Sequence, residues 1–236
     1  MRIGGFQKLT LLDYPGQVAC IVFTRGCNFR CPFCHNSDLV LSKQEENDVP
    51  EDTIFSYLEK RKNLLDGVVI TGGEPLVWPD LPDFLCNVRK QGYNIKLDTN
   101  GSFPERLKLI LDLKLIDYVA VDIKQSPKQY ETASGIPSDE IVPLIRQSLQ
   151  ILGNSGIPFE LRTTVVKGIH SLETMTALAA WISSFSIAGS VPYYLQPYVN
   201  SGHIIAPEGL SSFSDKELEE MLSAVRHDCP LAALRK

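Results

Sequence analysis

The feature that most constrains this chain is a repeat of short β-branched or alternating apolar runs, each followed by a stretch with helical periodicity. The runs fall at residues 18–24, 67–71, 94–98, 118–123, 159–166 and 193–197. Helical stretches lie between and after them, at 52–65, 80–90, 104–115, 138–152, 171–185 and 215–227. Near-continuous apolar strands are those covered on both faces, so the alternation predicts an α/β chain of parallel strands with right-handed crossovers. A closed eight-stranded barrel takes about 250 residues, so six βα units predict a partial, open (βα)6 barrel; a doubly wound sheet is the alternative. Ser214 with Glu217 reads as a capping box, and Ser171 and Asp80 stand where N-caps belong.

One domain is expected over residues 1–236, with a core at about 18–200, an N-terminal extension over 1–17 and a C-terminal helix at about 214–228. The extension and the segment beyond about 200 fall outside the strand–helix pattern and are expected to cover the ends of the sheet. The 44% hydrophobic content suits a well-cored chain rather than a disordered one. The longest uninterrupted apolar runs, such as Val18–Phe23, are six residues. A bilayer span needs about 20, so no membrane partner is expected. No charged-then-apolar leader opens the sequence, which points to a cytoplasmic protein with reduced or metal-bound thiols. A net charge of -5 offers no general attraction to nucleic acid.

The chemistry is carried by three of the six cysteines: Cys27, Cys31 and Cys34, spaced Cys-x3-Cys-x2-Cys directly after the first strand. Three thiolates at this spacing suit a soft metal centre. A structural zinc needs a fourth ligand, which His35 could supply, although adjacent residues seldom converge on one tetrahedral ion. A 4Fe-4S cube needs only three cysteines and leaves one iron open. Cys20, Cys86 and Cys229 have no partner at ligand spacing and read as small buried hydrophobes.

The stretch Arg25-Gly26-Cys27-Asn28-Phe29-Arg30-Cys31-Pro32-Phe33-Cys34-His35-Asn36 resembles the cluster loop of the radical S-adenosylmethionine (SAM) superfamily. Gly72-Gly73-Glu74-Pro75 resembles that superfamily's motif for the methionyl amine. Asp13-Tyr14-Pro15-Gly16, Asp98-Thr99-Asn100-Gly101 and Asp122-Ile123-Lys124 resemble the glycyl-radical-enzyme activases. Leu9 to Gly16, running into the cysteine loop, is most similar to the activating proteins of anaerobic ribonucleoside-triphosphate reductase.

The resemblance implies a 4Fe-4S cluster held by Cys27, Cys31 and Cys34, with its open iron chelated by SAM. Reductive cleavage of SAM would give methionine and a 5'-deoxyadenosyl radical, which abstracts hydrogen from a backbone glycine of a partner enzyme. It implies a glycyl radical enzyme as partner and reduced flavodoxin or ferredoxin as electron donor. An activase of the pyruvate formate-lyase type, or a radical enzyme acting on a small molecule, is the alternative; from another class, so is a non-catalytic metal-stabilised binding domain.

Site roles follow from the same resemblance. Phe33 and the backbone near His35 and Asn36 would contact adenine. Gly72, Gly73 and Glu74 would receive the ammonium group through close backbone approach and negative charge. Asp98, Thr99, Asp122 and Lys124 would lie near the ligand or a small cation, and Arg162 would meet a carboxylate. These motifs have structural counterparts: a strand-to-helix turn at Gly72–Pro75, turn formation by Asp98 and Asn100 before Gly101, and, for Arg162, a pair with Glu160 or an exposed position at the strand's end. Two positions depart from the family pattern. Val199 stands where some activases carry a histidine after the last strand, leaving Gln196, Tyr198 or His203 to replace its ribose or adenine contact, and Tyr14 stands where a small residue is expected. His170 and His227 read as surface or capping residues, and Gln44–Asp48 as a solvated acidic loop.

Overall fold

The computed structural model describes residues 1–41, 48–185, 187, 189–200, 202 and 204–235. Its strands are β1 (Ile3–Thr10), β2 (Ala19–Thr24), β3 (Gly67–Gly72), β4 (Asn94–Thr99), β5 (Tyr118–Asp122), β6 (Phe159–Val165), β7 (Tyr193–Pro197) and β8 (Ala232–Leu234). The helices are α1 (Ser37–Leu41), α2 (Glu51–Lys60), α3 (Leu81–Lys90), α4 (Pro104–Asp112), α5 (Tyr130–Ser134), α6 (Ser138–Ser155), α7 (Leu172–Ser183) and α8 (Asp215–Arg226). This is the expected α/β class, with all six anticipated strands in place. The chain divides into two compact units, each discontinuous in sequence: Met1–Asn28, Asp38–Thr99 and Glu105–Val119 form the first, and Phe29–Ser37, Asn100–Pro104 and Ala120–Lys236 the second.

In the first unit β2, β3 and β4 pair in parallel, with Thr24 opposite Gly72 and Val68 opposite Ile95. Asp117, just before β5, extends the ladder by donating its N–H to the Ile95 carbonyl at 2.8 Å. β2 and β3 are buried over most of their length, as parallel strands covered on both faces must be. Residues 1–17 correct the sequence expectation. Rather than only capping the sheet, eight of them form β1, which pairs antiparallel with β2, Phe6 lying opposite Val22. Its Gln7, Lys8 and Leu9 are exposed, as suits an edge strand. Tyr14 belongs to a core cluster with Ala19, Ile21 and Val69, and its ring lies 6.0 Å from that of Tyr118. Gly67 makes this possible, since a Cβ there would come within 2.9 Å of the Tyr14 ring. The large residue in the Asp-Tyr-Pro-Gly motif is thus a packing element.

In the second unit the end of β5 joins β6 through the Ile123 N–H to the Arg162 carbonyl at 2.8 Å, and β6, β7 and β8 run parallel. β8 is a second correction, because the segment beyond 200 adds a strand rather than only a cover. α8 packs Leu218, Met221, Leu222 and Val225 inward, one amphipathic stripe. Ser214 and Glu217 cap it reciprocally, as expected, and Ser171 does the same with Thr174 at the start of α7. Asp80 occupies the N-cap of α3 but makes no side-chain cap; its carboxylate pairs with the amino terminus of Met1. α2 stops five residues short of its expected end at 65, and Asn63 turns through a positive φ of 68°.

Among the other cysteines, Cys20 and Cys229 are core residues as expected, while Cys86 is only half-buried. Of the acidic run, residues 44–47 lie outside the described residues. Asp48 is no solvated charge: Arg2 and Arg25 both pair with it.

Candidate functional site

The cysteine stretch begins where β2 ends, in the first unit, and close backbone packing determines its course there. Gly73 donates its N–H to the Thr24 carbonyl at 2.9 Å, and Glu74 donates to Gly26 at 2.8 Å. A Cβ on Gly73 would stand 2.0 Å from the Gly26 oxygen, and one on Gly72, whose φ is +113°, would stand 2.5 Å from both N and O of Thr24. The paired glycines therefore let β3's exit lie against the backbone that leads into Cys27. Trp78 adds a third tie, its indole N–H donating to the Arg25 carbonyl at 2.7 Å.

Glu74 is fully buried and caps the following 3-10 turn over Pro75–Val77. Its Oε1 accepts from the Leu76 N–H at 3.1 Å and from the Thr99 hydroxyl at 2.8 Å. The sequence-derived residues Glu74 and Thr99 are thus joined by a hydrogen bond, next to Gly73, at the C-terminal ends of β3 and β4, where parallel α/β sheets build their sites. Asp98, beside Thr99, is ion-paired with Lys96 two residues earlier on the same face of β4. Lys96 was missed at the level of sequence, yet a charge in a buried strand with an acid two positions on is a readable signal.

The second unit carries Phe29–Ser37. Phe29 packs edge-on to Tyr130 with ring centroids 6.4 Å apart, and the Arg30 N–H reaches the Ser134 carbonyl at 2.8 Å. Cys34 turns back on Cys31, its N–H 3.1 Å from that carbonyl. Phe33 meets the ring of His170 edge-on at 6.2 Å, and the ring of His35 lies 5.7 Å from Tyr198. His170 is 5% exposed, which corrects its reading as a surface residue. Its Nδ1 accepts from the Val166 N–H at 3.0 Å, so Nε2 carries the proton toward the Lys124 carbonyl at 2.8 Å, a tautomer assigned from these partners. Burial lowers its pKa, in keeping with a neutral ring. Asn100 is a turn former, its Oδ1 accepting from the Ser102 N–H at 3.0 Å.

Asp122, at the end of β5, sits between two cations. Arg162 Nε donates to its Oδ1 at 2.8 Å and Lys124 Nζ to its Oδ2 at 3.1 Å. Burial alone would raise the carboxyl, but the charges of Arg162 and Lys124 outweigh it and hold Asp122 well below the ordinary carboxylate range. Conversely, Asp122 overcomes the burial of Lys124 and keeps that ammonium firmly charged. Arg162 is thus ion-paired with Asp122, a residue on the neighbouring strand. Glu160 is held instead by Arg235, at 2.6 and 2.9 Å. Alternation put the two charged residues of β6 on one face, and neighbours distant in sequence decided their partners.

The donor chemistry of the cysteine stretch suits a cluster. All six cysteines are free thiols, so Cys27, Cys31 and Cys34 are uncommitted to disulfides. Cys31 is buried, which pushes its thiol up to about 11 against the opposing effect of Lys124, while Cys27 and Cys34 are half-exposed. Burial and then Lys124 lower the pKa of His35, favouring a neutral ring. Among the described residues no three His, Cys, Asp or Glu side chains converge as a ready metal site, so the three-cysteine assignment rests on the sequence spacing and the free thiols. No helix of the described residues is long and apolar enough to cross a membrane.

Comparison with known proteins places this geometry in context. Residues 21–177 match the model of the Radical SAM superfamily. A Methanocaldococcus jannaschii protein provisionally named as a glycyl-radical enzyme activating enzyme is 32% identical over 75% of this chain and 73% of its own length. The 7-carboxy-7-deazaguanine synthase of Methanopyrus kandleri is 27% identical over 80% of this chain and 77% of its own. The pyruvate formate-lyase 1-activating enzyme of Escherichia coli K12 is 28% identical over 71% and 68%. In fold the chain is similar to Streptococcus suis SuiB, at a TM-score of 0.65 and 16% identity over 92% of this chain. It spans 48% of SuiB, and at that identity the likeness concerns the fold alone.

Proposed function

The chain belongs to the Radical SAM superfamily, and from that premise we propose that it installs a glycyl radical on anaerobic ribonucleoside-triphosphate reductase. The observation that carries the reading is the three-thiol stretch Cys27–Cys34 led directly off a strand end that Gly72 and Gly73 hold in close backbone contact. Cys27, Cys31 and Cys34 would hold three irons of a 4Fe-4S cluster. When bound, the cluster and SAM supply one-electron cleavage to methionine and a 5'-deoxyadenosyl radical, which takes a hydrogen atom from the partner's glycine to leave 5'-deoxyadenosine and the glycyl radical. The electron would come from reduced flavodoxin or ferredoxin.

The chain's own residues would bind and orient. Gly72 and Gly73 carbonyls with Glu74 would receive the methionyl amine, and Thr99 fixes the Glu74 carboxylate by its 2.8 Å hydrogen bond. Phe33, His35 and the backbone at Asn36 would bound the adenine. Tyr198 takes the place of the histidine missing at Val199. It is 1% exposed beside His35, and its hydroxyl has no hydrogen-bond partner among the described residues, whereas Val199 is 64% exposed. Lys124 and Arg162, both anchored on Asp122, would present positive charge to the ligand's carboxylate. Such a site acts in an oxygen-free cytoplasm.

The similarity of Leu9–Gly16 to the reductase activases favours that target. The E. coli relative favours a pyruvate formate-lyase type partner to the same degree, and the M. kandleri relative keeps a small-molecule substrate as a further reading. The test is anaerobic reconstitution followed by incubation with SAM, a reductant and each candidate partner, read by electron paramagnetic resonance. A glycine-centred signal with the reductase supports the proposal. A signal only with a formate-lyase reassigns the target, and a protein that takes up zinc, or a cluster whose reduced spectrum ignores SAM, refutes the radical reading.

A further inference from the structure

Lys96 is the one lysine among the described residues that is buried, at 1% exposure, and it lies within β4 rather than at an end. Removing an ammonium from water costs several kcal/mol unless it is paired and hydrogen-bonded. Strand alternation supplies the pairing, because residues two apart face the same way, and the Lys96 ammonium is ion-paired to Asp98 Oδ1. Asp98 is itself 9% exposed. The charge already on this carboxylate decides what else it can hold. A bare buried carboxylate attracts a hard cation, but one bridged to an ammonium in a low-dielectric site would force a second cation against a like charge.

A separate small cation at Asp98 therefore does not fit the residues present. In the second unit Asp122 is likewise neutralised internally, by Lys124 at 3.1 Å and Arg162 at 2.8 Å. We propose that Lys96 is the built-in cation of the candidate site, a positioning residue that fixes the Asp98 carboxylate and makes SAM binding independent of monovalent metal ions. The ligand half of this inference rests on the proposed function; the cation half does not.

Two measurements test it. The first is thermal unfolding of the metal-free full chain in potassium, ammonium and tetramethylammonium chloride at equal ionic strength. Wild type melts at the same temperature in all three. Lys96→Met melts lower and recovers part of the loss in potassium or ammonium, but not in tetramethylammonium, which is too large for the vacated position. A merely structural lysine would give no such cation response, so a lower melt without recovery overturns the inference. The second is SAM affinity of the reconstituted wild type in potassium against tetramethylammonium, which needs no variant to fold. Equal affinity is expected, and a tenfold weakening in tetramethylammonium overturns the proposal. Should the wild type bind no SAM in either salt, the proposed function fails, and the melting comparison still decides the role of Lys96.

Discussion

Replacing Gly73 with alanine puts a methyl group 2.0 Å from the carbonyl oxygen of Gly26 and 2.7 Å from its carbonyl carbon. Non-bonded carbon and oxygen need more than about 3 Å, the range in which only weak C–H···O contacts form, so one backbone segment must shift by about 1 Å. Both flanking contacts are backbone, and no flexible side chain can yield. Gly→Ala in a tolerant position gains about 0.4–1 kcal/mol through the unfolded chain, whereas overpacking costs about 1–3 kcal/mol and sometimes more. The overlap here belongs at the upper end, so a net loss of about 2–3 kcal/mol is expected. For a chain of this size that is a fall in Tm of roughly 4–12 °C. The shift also lands on the Glu74 N–H to Gly26 hydrogen bond, one residue before Cys27. Iron retained after anaerobic reconstitution should therefore fall further than stability alone accounts for. Gly92→Ala is the control: its φ is +92° but nothing lies within 4 Å, so it carries the local backbone cost of about 1–2 kcal/mol and leaves iron loading unchanged. Urea unfolding and iron analysis read both variants. A Gly73→Ala protein as stable as wild type, with full iron content, would refute the argument that these glycines serve backbone contact.

Other outcomes follow from the same geometry. Asp122→Asn leaves Arg162 and Lys124 without their shared carboxylate, and denaturant unfolding should show a loss of about 1–3 kcal/mol, with Asp122→Glu recovering part of it. Tyr198→Phe deletes a buried hydroxyl that has no hydrogen-bond partner among the described residues. Stability should be unchanged or slightly raised while SAM affinity falls several-fold by calorimetry; a destabilised variant with intact affinity would make the hydroxyl structural. The Lys167 hydrogen bond, with those of Ser214, depresses the exposed Glu217 carboxyl to about 2 from its ordinary 4.5. A depressed carboxyl stabilises the fold fully above its unfolded pKa, so the start of α8 should hold above pH 4.5 and loosen as pH falls toward 2, with Lys167→Ala moving the Glu217 NMR titration upward.

The six parallel strands were legible because each is a short β-branched or alternating apolar run bounded by turns, most continuous in β2 and β3, which are buried over most of their length. β1 was not legible for the complementary reason. Its Gly4, Gly5, Gln7 and Lys8 break the apolar pattern, and an edge strand with half its face exposed tolerates them. β8, only three residues long, carries too little pattern to stand apart from the tail of α8. The capping box at Ser214 and the N-cap at Ser171 read correctly because they are local, closing over four residues. Asp80 misled because its carboxylate found a charged partner, the chain's own amino terminus, that no local rule anticipates.

At the candidate site the same division holds. Spacing alone singled out Cys27, Cys31 and Cys34, since ligand type and interval are properties of a short stretch of chain, and the order of the accompanying motifs named the family before any coordinates did. Only tertiary structure could show what those motifs touch. It placed Gly72 and Gly73 against Thr24 and Gly26, joined Thr99 to Glu74, gave Arg162 to Asp122 and Glu160 to Arg235, buried His170 behind Phe33, and set Lys96 under Asp98. The physical reason is that residue type and periodicity decide which groups need a partner. Which partner satisfies them depends on strand order and register, and these bring together residues as far apart in sequence as His35 and Tyr198.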